Sequence, residues 1–236
     1  MKPDHPEEFV SAAEQNKMMF VALYLPIARM VHSGEIDPET VSHEELSAKL
    51  KALGNTFEDA FEIHITHLEE EMQLVAHCIE QGQAKSGIVL LFTLIEAEVN
   101  ALIRILMRIR GFPPSAVTDA LKGTSFETKL DVLLPLLEVE ISARFRNTAL
   151  QCKSIRNVVV HDKAAPALMS DEGNKDSDSQ LANARSFNFF SQNPLSRIEA
   201  DLKDFSEGSL HKDPAMQWSS QLFAKYFEVE ENADEA

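Results

Sequence analysis

Apolar residues recur at every third or fourth position along most of this chain, and this period constrains the fold more than any other feature. An α-helix repeats every 3.6 residues, whereas a half-buried strand alternates every two, and no convincing alternation is present. The widest apolar stripe lies between Ala84 and Arg110 and consists of Ile88, Leu91, Phe92, Ile95, Val99, Leu102, Ile103 and Leu106. A stripe of this width predicts a central helix that is covered on several sides. The sequence therefore predicts an all-α protein.

Helix-breaking residues divide the helical pattern into three regions. A break near Gly54 ends an N-terminal helical extension over residues 1–54, and helical segments fill residues 55–165. The stretch from Ala164 to Ser179 contains Pro166, Gly173 and a polar run, a composition typical of a linker. Residues 166–236 are therefore predicted to be a linker and a C-terminal helical extension. We predict an up-down four-helix bundle over residues 55–165, with additional N- and C-terminal helices.

The formal net charge of −16 restricts the partners of the chain. A protein this acidic repels phosphate backbones, which excludes broad binding along nucleic acid but permits one small basic site. The first residues are acidic and contain prolines, unlike a secretory signal, and no uncharged stretch approaches the ~20 residues that cross a bilayer. We therefore expect a soluble protein in the cytoplasm that does not associate with membranes.

The strongest chemical signal is the run from Ile155 to His161, which contains Arg156 followed directly by Asn157. Arginine stays charged at any relevant pH and can hold a phosphate with two hydrogen bonds. Histidine can give or take a proton near neutral pH. Together these groups can cleave RNA without a metal, because one moves a proton and the other stabilises charge on the phosphate. Asn157 is a candidate for orienting the phosphate or the imidazole.

The spacing of Arg156 and His161 leaves alternatives open. Five positions along a regular helix advance the chain by ~7.5 Å and rotate it by ~140°, so the two residues do not share one face. They could converge on a distorted helix, or contribute to a site shared between two subunits. The simpler alternative is an arginine and a histidine on a helix surface, salt-bridged or solvated.

The run from Ser154 to Asp162 resembles the Arg-x4-His signature of the HEPN superfamily, including the polar residue after the arginine. The helical order also resembles that family: a hydrophobic helix with residues 92–98 (FTLIEAE), a shorter helix that begins at residues 125–130 (SFETKL), and then the motif. This resemblance covers residues 56–165. It implies a metal-independent endoribonuclease in which Arg156 and His161 are catalytic and Asn157 supports them, working without a cofactor.

The resemblance also implies partners. Members of the family commonly form homodimers in which two motifs face one cleft, and many act as toxins or phage-defence components with an antitoxin. Others have lost activity and serve as dimerisation modules or as modules that bind RNA or protein. Members often carry an acidic residue on the preceding long helix that pairs with the motif arginine. Glu96 is the preferred candidate for this residue, with Glu98 as the alternative.

The local charge around the motif is basic. Between Arg144 and Lys163 there are five cations and one acid, Asp162. This arrangement predicts a basic patch that suits a focused phosphate site. Alternatively, these cations merely offset acidic residues across the bundle, with Glu69, Glu70 and Glu71 as candidates.

A metal-binding bundle is a further alternative. His64, His67, Glu71 and His77 lie at spacings that place ligands on one helical face. A di-metal bundle, however, needs a Glu-x2-His motif on each of two helices, and the chain lacks both. The sequence also has no Cys-x2-Cys pair, phosphate-binding glycine loop, nucleophile elbow or dinucleotide fingerprint. We therefore predict no metal and no cofactor.

Overall fold

The computed structural model describes residues 23–54, 68–164 and 172–227, with the backbone alone for residues 161–164 and 172–179. Residues 1–22 and 55–67, on which parts of the predicted N-terminal extension and bundle fall, lie outside this range. Every regular element in the described ranges is helical and none is a strand, which confirms the predicted all-α class.

The described helices are, in chain order, α1 (Leu25–His32), α2 (His43–Gly54), α3 (Leu68–Glu80), α4 (Ala84–Ile109), α5 (Pro114–Gly123), α6 (Phe126–Thr128), a π-helical segment (Lys129–Leu133), α7 (Leu134–Leu136), α8 (Ala143–Ala164), α9 (Glu172–Gln192), α10 (Leu195–Lys212) and α11 (Pro214–Phe227). They belong to two compact units that interleave along the chain. The first comprises Met1–Ile65, Met107–Pro114 and His211–Ala236, and the second comprises Thr66–Leu106 and Ser115–Leu210.

In the first unit, helices from opposite ends of the chain pack together. α1 and α11 lie against each other around a core of Ile27, Met30, Ile36, Val41, Leu46 and Leu222. The buried Ser219 donates a hydrogen bond to the carbonyl of Tyr24 (2.7 Å), and the Tyr226 hydroxyl donates one to the carbonyl of Val41 (2.7 Å). The last helix of the predicted C-terminal extension therefore shares one core with helices of the predicted N-terminal extension.

The second unit is built around α4. The side chains of Ile88, Leu91, Leu94, Ile95, Val99 and Ile103 have no exposed surface. Each such burial stabilises the fold by on the order of 2 kcal/mol before the entropy of ordering the chain is counted. This confirms the prediction that the stretch from Ala84 to Arg110 is a central helix.

The chain reverses between α3 and α4 at Gly82. This residue has a φ of +71°, a conformation that glycine adopts without strain. The amide of Gly82 donates to the carbonyl of Ile79 (2.9 Å) and that of Gln83 donates to the carbonyl of Cys78 (2.7 Å), the two bonds of a Schellman motif. The motif satisfies the carbonyls of Cys78 and Ile79 near the end of α3, and α4 begins two residues after Gly82.

Side-chain contacts fix the direction of the helices around the motif. On α8, Cys152 lies 3.8 Å from the carbonyl of Ile88, and four residues later Arg156 contacts Phe92, so α8 and α4 run the same way along this stretch. Ion pairs join Lys153 to Glu127 and Arg146 to Asp131, so the segment from α6 to α7 runs opposite to α8. This alternation of direction is that of an up-down bundle.

The segment from α6 to α7 contains the π-helical turn. The Ser125 side chain caps the first turn of α6 by accepting a hydrogen bond from the amide of Thr128 (3.2 Å). Pro135 follows, and in a regular α-helix its ring would clash with the carbonyl of Asp131. The wider turn over Lys129–Leu133 accommodates the proline by inserting one residue into the helical ladder.

The predicted linker is shorter than its composition suggested. Residues 172–179 form the first part of α9, which the sequence assigned to a linker because they are polar and include Gly173. Polarity reports exposure rather than backbone conformation, and α9 is held further along by the buried Ala182 and Phe189. Residues 165–171 lie outside the described ranges.

Two more helices of the second unit pack on the bundle. Phe190 of α9 comes within contact distance of Gly87 on α4, and Phe205 of α10 stacks on Phe145 of α8 with ring centroids 4.5 Å apart. None of the described helices is long and apolar enough to cross a membrane.

Candidate functional site

Arg156 lies on α8 and is partly buried. Its guanidinium carbon is 5.7 Å from the centroid of the Phe92 ring on α4, so the cation lies over an aromatic face. Its Nη1 donates a hydrogen bond to Oδ1 of Asn157 (3.1 Å). The side chain is therefore oriented by one aromatic ring and one amide.

The guanidinium retains unused hydrogen-bonding capacity. Its Nε atom is buried and has no hydrogen-bond partner. Within the described residues no carboxylate forms an ion pair with Arg156. An unsatisfied buried donor costs about 1–3 kcal/mol, so this arrangement is unfavourable unless an anion or water satisfies it. Arg156 is a suitable group for binding a phosphate.

Three neighbouring cations whose side chains the structure describes are already paired. Arg144 forms two hydrogen bonds to the buried Asp201, Arg146 forms two to Asp131, and Lys153 pairs with Glu127. The predicted basic patch has four cations whose side chains the structure describes. Of these four, Arg156 alone has no acidic partner among the described residues. Acids from α10, α6 and the π-helical segment therefore neutralise these three cations, and not the acids of α3 that the sequence suggested. Glu69, proposed as an alternative partner, pairs with Lys203 instead.

Two of these ion pairs lower the pKa of the carboxylate that takes part in them. The hydrogen bond from Lys153 is the largest cause that lowers the pKa of Glu127 below its ordinary 4.5. The hydrogen bond from Arg146 likewise lowers the pKa of Asp131 below its ordinary 3.8. Both carboxylates are therefore charged at neutral pH, which keeps their cationic partners occupied.

His161 belongs to the last turn of α8, and its side chain lies outside the described residues. α8 is regular from Ala143 to Ala164, so the alternative of a helix distorted at the motif is not supported by the backbone. On a regular helix the positions of Arg156 and His161 are separated by ~140° of rotation and ~7.5 Å of rise.

Glu96 and Glu98 occupy different environments on α4. Glu96 is partly buried and Glu98 is 5% exposed. In the described part of the chain Glu96 forms no ion pair with Arg156. Nor does Glu96 form an ion pair there with Lys129, a lysine that is only 4% exposed. Burial lowers the pKa of the Lys129 ammonium below its ordinary 10.5, and the charge of Glu96 opposes that shift.

Sequence reasoning missed two residues of this site. Phe92 was assigned only to the apolar stripe, although its ring supports Arg156. Lys129 was not singled out. A signal existed for Lys129, because it lies three residues after Phe126 and four before Leu133, which places a cation in phase with an apolar stripe.

The described residues contain no group of three or more histidine, cysteine, aspartate or glutamate side chains that could hold a metal. His64 and His67 of the alternative metal site lie outside the described ranges. Burial raises the pKa of the Cys152 thiol, which disfavours its thiolate.

Comparison of the chain with protein-family models, with curated proteins and with solved structures finds no significant match.

Proposed function

We propose that the protein is a metal-independent endoribonuclease of the HEPN type, with Arg156 binding the phosphate at the cleaved bond and His161 transferring a proton. The observation that carries this proposal is the state of Arg156. It is partly buried, oriented by Phe92 and Asn157, and without an acidic partner among the described residues, while Arg144, Arg146 and Lys153 are paired.

Cleavage of RNA requires groups that transfer protons and a group that stabilises negative charge on the phosphate. The 2′-oxygen of the RNA attacks the adjacent phosphorus, the bond to the 5′-oxygen breaks, and a 2′,3′-cyclic phosphate forms. A base removes the proton of the 2′-hydroxyl and an acid protonates the departing 5′-oxygen. His161 serves one of these roles, Arg156 stabilises the additional negative charge on the phosphate, and Asn157 holds the guanidinium in place.

The geometry of α8 favours a site that involves two copies of the chain. Because about 140° separates the positions of Arg156 and His161 on a regular helix, one copy does not present both on one face. In a homodimer, Arg156 of one copy and His161 of the other would complete a single cleft. A role as a toxin or phage-defence component, held inactive by an antitoxin, belongs to the same proposal.

Cleavage of labelled single-stranded RNA by the purified full-length protein in EDTA tests this function. We expect the wild type to leave 2′,3′-cyclic phosphate ends, and Arg156→Ala and His161→Ala to abolish cleavage. Asn157→Ala should reduce the rate by about tenfold or more, because it removes a hydrogen bond to a charged group. Arg146→Ala is the matched control, since it removes a cation of the same helix that is already paired at the surface.

The second candidate is a helical module that binds RNA without cleaving it. It is favoured by the pairing of Arg144, Arg146 and Lys153, which leaves Arg156 as the oriented cation among the described side chains of the patch and therefore a weak, local anion site. RNA that remains intact with every variant, together with binding that requires Arg156 but not His161, would select this candidate over the nuclease.

A further inference from the structure

The ion pair between Lys153 of α8 and Glu127 of α6 lies next to the candidate site. Lys153 precedes Arg156 by three residues, a spacing that places their Cβ atoms about 5–6 Å apart on a helix. Glu127 directly follows Phe126, whose ring meets that of Phe92 edge to face with centroids 5.1 Å apart. Arg156 lies over the same Phe92 ring. Both members of the ion pair are therefore neighbours of the group that is proposed to bind phosphate.

The exposure of each carboxylate determines how readily its cation can be released. The Glu127 side chain is 47% exposed, so water can hydrate its carboxylate when Lys153 leaves it. An ion pair that is open to water in this way contributes little to stability. The Asp201 side chain, in contrast, is 7% exposed, and release of Arg144 would leave a buried carboxylate without its partner. Exchange of the acidic partner is therefore much less costly for Lys153 than for Arg144.

Arg146 also has an exposed partner, but it lies far from the candidate site. The side chains of Arg146 and Asp131 are 40% and 41% exposed. Arg146 precedes Arg156 by ten residues, which on a regular helix corresponds to a rise of ~15 Å. Of the three paired cations of the patch, Lys153 is thus the one that is both close to Arg156 and paired with an exposed acid.

We propose that Lys153 is a second phosphate-binding residue, which exchanges the Glu127 carboxylate for the RNA backbone when a strand binds at Arg156. The inference rests on the proposed phosphate-binding role of Arg156. Without RNA, Glu127 accepts a hydrogen bond from the Lys153 ammonium. A strand bound at Arg156 brings phosphate oxygens within reach of a lysine one helical turn away, and Glu127 is then released to solvent. Glu127 is therefore an internal competitor of the RNA for the second cation of the site.

Binding of a short, labelled single-stranded 2′-O-methyl RNA, which cannot be cleaved, tests this exchange in the full-length protein. Lys153→Met should weaken binding by about fivefold, because it removes a charge-assisted contact to the backbone. Glu127→Gln should tighten binding by about fivefold, because Lys153 then reaches the phosphate without first losing an exposed ion pair. In the Lys153→Met background, the gain from Glu127→Gln should fall below about twofold, since no ammonium remains to be released.

Asp131→Asn is the matched control for Glu127→Gln. It makes the same change in net charge and frees Arg146 of the same helix, but at a distance from Arg156 that exceeds the screening length of ~8 Å at 0.15 M salt, so affinity should stay within about twofold of the wild type. The salt dependence is a readout that a merely structural role of Lys153 would not move. Lys153→Met should lower the slope of log affinity against log salt by about 0.7, the value of one contact with a single strand. Lys153→Gln repeats these measurements if circular dichroism shows that Lys153→Met does not fold.

The outcomes separate this inference from the proposed function. If Lys153→Met keeps the affinity and salt slope of the wild type while Arg156→Ala binds weakly, the exchange is overturned and the role of Arg156 stands. The exchange is also overturned if Glu127→Gln tightens binding equally with and without Lys153, or if Asp131→Asn tightens it as much. Binding that is unchanged in Arg156→Ala overturns the proposed function itself, whatever the affinity of Lys153→Met.

Discussion

The guanidinium of Arg156 lies over the ring of Phe92, with its carbon 5.7 Å from the ring centroid. Phe92 is 4% exposed and belongs to the apolar stripe of the central helix α4. The candidate phosphate-binding group therefore rests on a core residue, so its position is set by the packing of α8 on α4. A site supported in this way is more rigid than one on a loop.

Replacing Phe92 by leucine should weaken RNA binding. Leucine keeps most of the buried apolar surface but removes the aromatic face under Arg156. A cation–π contact is worth about 0.5–1 kcal/mol at exposed sites and more when desolvated, so we expect a severalfold weaker affinity. Fluorescence anisotropy with a labelled, non-cleavable RNA measures the change.

Phe145→Leu is the matched control for Phe92→Leu. Phe145 is 2% exposed and stacks on Phe205, so its replacement also removes a buried ring and an aromatic contact. Both variants should lose on the order of 1 kcal/mol of stability. Equal RNA affinity of the two variants would show that Phe92 acts only through the core.

The ion pairs of Glu127 and Asp131 should make the fold sensitive to acid. Both pKa values are lower in the folded protein than the ordinary 4.5 and 3.8, so the unfolded chain binds more protons in that range. Their stabilisation is present above about pH 5 and is lost as the pH falls through the folded values. We expect the melting temperature of the wild type to fall more steeply below pH 5 than that of Glu127→Gln/Asp131→Asn. Parallel curves would contradict this prediction.

The buried Lys129 should make the fold gain stability as the pH rises into the alkaline range. Because burial lowers the pKa of Lys129 from 10.5, the folded protein releases this proton before the unfolded chain as the pH rises. The unfolded state then binds more protons, and stability increases with pH across that window. Urea unfolding should therefore show the wild type gaining stability relative to Lys129→Met between neutral pH and about pH 10. A difference that stays constant with pH would show that Lys129 is not desolvated.

Ser219→Ala should destabilise the first unit. The hydroxyl of Ser219 donates to the carbonyl of Tyr24, which lies 195 positions earlier in the chain, and its removal leaves that carbonyl without this donor. We expect a loss of about 1–2 kcal/mol in chemical denaturation, with RNA cleavage unchanged.

Ser186→Ala is the control for Ser219→Ala. Ser186 is also fully buried, but it donates to Ala182 of its own helix, whose carbonyl lies within the helical ladder. Alanine is the better helix former, so this variant should be close to neutral. A loss in Ser186→Ala as large as that in Ser219→Ala would mean that the volume of the side chain, not its long-range hydrogen bond, is what matters.

The sequence by itself determined the helical class, the central position of α4 and the placement of the motif on a helix. These features depend on the period of apolar residues and on the residues that end helices, which act over a few turns. The run from Ile155 to His161 could therefore be assigned to a helix without knowledge of any distant contact. The polar residues 172–179 were misassigned because a polar composition is compatible with a helix as well as with a linker.

Only the tertiary structure decided which charged side chains form ion pairs. Arg144 pairs with Asp201, 57 positions away, and Lys153 of α8 pairs with Glu127 of α6. Such partners depend on how the helices pack, and no local pattern of residues encodes that packing. The sequence thus supplied a motif with several neighbouring cations. Packing brought acids to Arg144, Arg146 and Lys153 but, among the described residues, none to Arg156.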